Sequence, residues 1–101
     1  MKRRKLTKEV RISNIVIRYN RVIEDHISKH NIKIKDIVRC FETDYLLKKI
    51  GRKNWLVISK HPDSGRMITI FLEQIRGLEF RLKTARDSNE AEKRLYKKKV
   101  K

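Results

Sequence analysis

The sequence predicts an α+β domain on a single antiparallel β-sheet, with two helices before the main strands and one after them, in the order β-α-α-β-β-β-β-α. Three observations lead there. Residues 10–19 (VRISNIVIRY) are rich in β-branched side chains, which suit a pleated, half-buried strand. Residues 20–42 place apolar side chains at helical spacing. Residues 54–86 form strand-like runs broken at His61-Pro62-Asp63-Ser64-Gly65 and at Gly77.

Each element follows from local chemistry. Asn20 is an N-cap residue for a first helix, whose stripe contains Val22, Ile23, Ile27 and His30, with His26 beside it. Asn31 suits the left-handed position after that helix. A second helix spans about residues 33–42, because Ile34, Ile37, Val38 and Phe41 recur at i, i+3, i+4, i+7. Residues 44–50 read as a short strand, and residues 54–60 and 66–73 as stronger ones. Pro62 presets the intervening turn and Gly65 supplies a positive φ. The 66–73 strand is apolar on both parities, so it should be central and covered on both sides. In residues 79–86, Phe80, Leu82 and Thr84 alternate with Glu79, Arg81 and Lys83, and Arg86 falls on the apolar parity. Asp87 or Ser88 caps a last helix, with Asp87-x-x-Glu90 as a capping box. Ala91, Leu95 and Tyr96 are its apolar anchors, so it must dock on the sheet.

The length fits one domain over 1–101, divided into a basic arm (1–9), a folded core (10–96) and a basic tail (97–101). Lys and Arg number 28 against 12 Asp and Glu, a net charge of +16. Such a charge repels itself and favours a polyanion: nucleic acid, an anionic membrane surface or an acidic protein. No apolar run approaches the roughly 20 residues of a membrane span. The start Met1-Lys2-Arg3-Arg4-Lys5 has no apolar stretch behind it, so no signal peptide is expected. The lone cysteine, Cys40, reads as a small core residue. These features point to the cytoplasm and leave nucleic acid or an acidic protein as the partner.

Three segments resemble BrnT-type toxins of toxin–antitoxin pairs. Ile27-Ser28-Lys29-His30-Asn31-Ile32 is similar to that family's joint between two helices. Leu56-Val57-Ile58-Ser59 and Ser64-Gly65-Arg66-Met67-Ile68-Thr69-Ile70-Phe71 resemble its two central strands. Residues 83–96, with Thr84-Ala85-Arg86 and Lys93-Arg94-Leu95-Tyr96, resemble its terminal strand-to-helix junction. The resemblance covers roughly residues 15–98. It implies a RelE-like fold, metal-independent RNA cleavage with or without the ribosome, and neutralisation by an antitoxin protein. The assembly would be a homodimer or a toxin–antitoxin hetero-oligomer. The alternative is a non-catalytic nucleic-acid-binding module, or an accessory protein of a ribonucleoprotein or virus.

Cleavage by 2′-OH attack needs a group to stabilise charge on the phosphate, which suits arginine, and groups to move protons. Arg86 is the first candidate for the phosphate, against an ion pair with Glu90 or Glu92. Arg66 offers a second phosphate contact, or a solvated strand end. His61, expected exposed in a mobile hairpin, is the candidate for proton transfer. Tyr96 can donate to the leaving oxygen or stack a base, or simply cover the sheet edge. Trp55 is core or a stacking platform. Lys48, Lys49, Arg52, Lys53 and Lys60 are expected to form a basic stripe across one sheet face, joined in RNA binding by Arg81, Lys83, Lys97 and Lys98. His26 and His30 have a zinc-compatible i, i+4 spacing, yet no third ligand completes a set, so no metal or other cofactor is expected.

Overall fold

The computed structural model describes residues 7–99. Most of the basic arm, residues 1–6 with its Lys2, Arg3, Arg4 and Lys5, and tail residues 100–101 lie outside the described residues. The elements are β1 (Lys8–Ile12), β2 (Ile15–Tyr19), α1 (Arg21–Ser28), α2 (Ile34–Phe41), β3 (Tyr45–Lys49), β4 (Asn54–Lys60), β5 (Met67–Arg76), β6 (Glu79–Asp87) and α3 (Glu90–Lys99). They form one six-stranded sheet in the order β1-β2-β6-β5-β4-β3.

Four expectations are corrected here. The 10–19 segment is a hairpin rather than one strand, because Ser13 takes a left-handed φ of 58° and folds β1 back on β2. Lys8 and Glu9 belong to β1, and Lys97 to Lys99 belong to α3, so arm and tail are shorter than composition suggested. The sheet is mixed, because β2 and β6 run parallel while every other pair is antiparallel. Parallel neighbours need a long crossover; here α1, α2 and the β3–β5 meander provide it. The capping box sits two residues later than expected: Asn89 Oδ1 accepts from Glu92 N–H at 2.8 Å, and Glu92 Oε1 accepts from Asn89 N–H at 2.9 Å.

The other local signals hold. Asn20 Oδ1 accepts from Ile23 N–H at 3.0 Å and caps α1. Asn31 sits at φ 63° and ends the α1 turn. Val22 departs from its expected stripe and is 70% exposed, because Ile23 and Ile27, one turn apart, define the inward face.

Alternation along β4 and β5 gives the sheet two different faces. Val57, Ile68, Ile70, Leu72, Phe80, Leu82 and Ala85 pack with Ile27, Ile32, Ile37, Cys40 and Phe41, so α1 and α2 cover one face. The sheet curls far enough for α2 to meet both β1 and β4. Two bulges, at Lys83 in β6 and Ile75 in β5, accompany that curvature. Thr69 and Ile58, cross-strand partners, are fully buried on the opposite face, where α3 docks. β5 is therefore covered on both sides over its first half, as its apolar parity predicts. Ile70→Ala should lower unfolding free energy by about 2–5 kcal/mol, whereas Val22→Ala should stay within about 0.5 kcal/mol. Urea denaturation followed by circular dichroism checks both.

Candidate nucleic-acid interface

The strand β6 decides where the candidate cations point. Phe71 pairs with Thr84 and Leu72 pairs with Leu82, so Lys83 is an extra residue with no partner of its own. A one-residue bulge flips every later side chain to the other face. Leu82 faces α1 and α2, whereas Thr84 and Arg86 turn to the α3 face. The expected shared parity of Arg86 with Phe80 and Leu82 is thus corrected by the bulge.

On the α3 face Arg86 has a defined seat. Its Nη1 and Nη2 each donate to Glu92 at 2.9 Å, and its guanidinium carbon lies 5.1 Å from the Phe71 ring centre. The Glu92 carboxylate also accepts from Thr69 Oγ1 at 2.9 Å. Desolvation pushes the Glu92 carboxyl up, but Arg86, the Asn89 amide and the Thr69 hydroxyl together hold it below its ordinary value. Arg86 therefore locks α3 to the sheet, the ion-pair alternative raised by the sequence, with Glu92 as partner.

The other three catalytic candidates are also engaged. His61 is only 7% exposed, a correction to the expected mobile, solvated histidine. Its Nδ1 accepts from the backbone N–H of Asp63 at 3.1 Å, so its ring proton sits on Nε2, 3.1 Å from Asp36 Oδ1 on α2. Both nitrogens thus pin the β4–β5 turn to α2, beside a groove of about 520 Å3 lined by Lys35, Asp36, Arg39 and Asp63. Arg66 is not a solvated strand end. It pairs with Asp87 and donates to the carbonyl oxygens of His30 and Asn31, tying β5 to the α1–α2 joint. Tyr96 Oη donates to the Asp44 carbonyl at 3.1 Å, holding α3 over the sheet edge, and burial with nearby Asp44 raises its pKa. Asp87 engages both arginines, its carboxylate accepting from Arg66 and its carbonyl from Arg86 at 3.0 Å. His61 and Arg66 reach toward the α1–α2 layer, and Arg86 and Tyr96 lie with α3.

The basic residues divide into groups. Lys48, Lys49, Arg52 and Lys53 surround the β3–β4 turn and are exposed. None of them pairs with a carboxylate among the described residues. Lys49 lies 5.8 Å over the Trp55 ring, whose Nε1 donates to Gln74 at 3.2 Å, so Trp55 is half-buried with its polar tip satisfied within the fold. Lys60 does not join this group. It lies four residues along β4 from Leu56, the partner of Lys48, or about 13 Å at strand rise. Lys97 and Lys98 sit on α3 along a groove of about 670 Å3 with Ala91, Arg94 and Leu95. Arg81 and Lys83 share Glu73, at 3.0 and 3.8 Å.

Sequence reasoning missed Arg18 and Tyr19 as site residues. Pairing of β2 with β6 stops at Arg18 and Arg81, and the two strands then part. The fork holds a crevice of about 430 Å3 lined by Arg18, Tyr19, Asn20, Ile23, Arg81, Leu82, Lys83 and Thr7. Only the parallel pairing brings residues 18 and 81 together, and no local motif announces that. His26 and His30 are exposed with their rings edge-to-face at 5.8 Å, and no group of three His, Cys, Asp or Glu side chains is placed to hold a metal among the described residues.

No family model matches this chain, nor does any curated protein or solved structure. No helix among the described residues is long and apolar enough to cross a membrane.

Glu92→Gln should cost about 1–3 kcal/mol, because it weakens the partners of Arg86 and Thr69 at once. A carboxylate held below its unfolded pKa contributes stability that is complete above the unfolded value and is lost as pH falls through the folded one. Chemical denaturation from neutral to acidic pH should therefore show a fall in the wild type that is shallower in Glu92→Gln.

Proposed function

We infer that this protein binds RNA through phosphate contacts, with the β3–β4 end of the sheet as the main contact. The observation that carries this reading is the cluster Lys48, Lys49, Arg52 and Lys53, exposed at one turn without a carboxylate partner among the described residues, in a chain of net charge +16. Seven carboxylates are held by arginines instead: Glu9 and Glu79 by Arg18, Asp63 and Glu42 by Arg39, Asp87 by Arg66, Glu92 by Arg86, and Glu73, which pairs across the strands with Asn54 near the turn, by Arg81. Uncompensated cations at one end release counterions when they meet phosphates. Lys97 and Lys98 on α3 form a separate basic group, next to Tyr96, which is held at the Asp44 end of β3.

A second reading, an RNA-cleaving toxin with a RelE-like fold and an antitoxin partner, rests on the resemblance of residues 15–98 and on the two arginines, Arg66 and Arg86, that flank Asp87 at the end of β6. Each guanidinium, on its own side of the sheet, offers a planar fork to phosphate once its carboxylate, Asp87 or Glu92, yields to substrate. A growth-arresting chain of this kind would be neutralised by an acidic protein.

Replacing Lys48, Lys49, Arg52 and Lys53 together with Ala should reduce the slope of log K against log salt by about 0.7 for each single-strand phosphate that is no longer neutralised. An unchanged slope in fluorescence anisotropy at several salt concentrations contradicts the reading. For the second reading, wild-type protein in EDTA should cut RNA to fragments with cyclic phosphate ends, and Arg86→Ala should slow cutting by about 100-fold or more. Intact RNA together with normal growth on expression excludes it.

A further inference from the structure

We propose that the fork between β2 and β6 is a nucleotide-binding crevice, taking one nucleoside phosphate unit of an RNA chain. This rests on the RNA-binding reading above and locates where one nucleotide is held.

The crevice combines two chemistries. Its apolar wall is Tyr19, Ile23 and Leu82, all of which belong to or pack against the α1–α2 core. An aromatic ring beside aliphatic side chains suits a planar base. Its polar rim is Arg18, Arg81 and Lys83. The volume of about 430 Å3 lies within the range of about 300–1,000 Å3 typical of small-ligand sites.

The rim cations are held in place rather than neutralised outright. Arg18 gives Nε to Glu79 and Nη1 to Glu9, which leaves Nη2. Arg81 gives Nη1 to Glu73, which leaves Nε and Nη2. Lys83 stands 3.8 Å from the same carboxylate and is half-exposed. Glu9, Glu73 and Glu79 thus orient donors that remain available to phosphate oxygens, a pre-positioned fork geometry that arginine provides and lysine alone does not.

The backbone contributes as well. Beyond Arg81 the β6 strand has no β2 partner, and the Lys83 bulge lies at that point. Bulges at the end of a paired stretch re-aim side chains next to sites.

The test is an amide NMR titration with AMP, adenosine, inorganic phosphate and a single-stranded RNA decamer. It uses wild type, an Arg81→Ala/Lys83→Ala double variant and Tyr19→Leu, with circular dichroism confirming the fold. AMP should shift Tyr19, Leu82 and Lys83 and bind about tenfold more tightly than adenosine or phosphate. The double variant should lose that AMP affinity by about tenfold and weaken RNA binding less severely. Tyr19→Leu should bring AMP affinity down to that of phosphate. Phosphate matching AMP in the wild type would mean an anion site without base recognition, and would overturn the proposal. RNA binding with no AMP shifts at the fork overturns it while leaving the RNA reading intact. Absence of binding by both AMP and RNA overturns both.

Discussion

One extra residue in β6 sets the layout of this molecule. Were Lys83 paired in a regular ladder with no bulge, strict alternation would drive Arg86 into the α1–α2 core beside Phe80 and Leu82. A guanidinium there would have no carboxylate and a desolvation cost of several kcal/mol, on the order of that for a buried unpaired ion. With the bulge, Arg86 turns to the other face, meets Glu92 and fixes α3. The same bulge lies beside the fork, which opens where β2 ends and Asn20 starts α1, so β6 loses its parallel neighbour.

The distribution of charge follows from the scarcity of carboxylates. With so few acids, each one that engages an arginine leaves other cations bare. Arg66 shows the structural use of such a pair, since its fork bridges Asp87 and two carbonyls of the α1–α2 joint. These residues hold helices to the sheet, and that work favours arginine, whose planar fork serves several acceptors at once. The unpaired cations at the β3–β4 turn are mostly lysines, which are well solvated and suit loose contact with a phosphate chain. Many of the arginines that hold elements together and the unpaired lysines of the β3–β4 turn thus occupy different parts of the sheet.

Much of the fold was legible from local signals. Asn20, Asn31 and the Pro62–Gly65 turn act within a few residues, so the sequence shows them directly. The Asn54–Lys60 strand is read residue for residue, and β5 is read as central. What failed was governed by distant partners. Ser13 takes a left-handed φ without being glycine, so the β1–β2 turn carried no mark. Nothing local reports the Lys83 bulge, and one unseen bulge reversed the facing of Arg86. His61 lies in a turn that is polar by sequence, and only the position of Asp36 on α2 explains its burial. Arg18 joins Arg81 through pairing that spans most of the chain, which no spacing rule reaches.

Cross-strand proton contacts measured by NMR test this layout most directly. Phe71 should face Thr84 and Leu72 should face Leu82, with the Lys83 amide outside the ladder and Ile17 beside Phe80 in parallel register. Continuous pairing of Leu72 with Lys83, or an antiparallel β2 against β6, would contradict it.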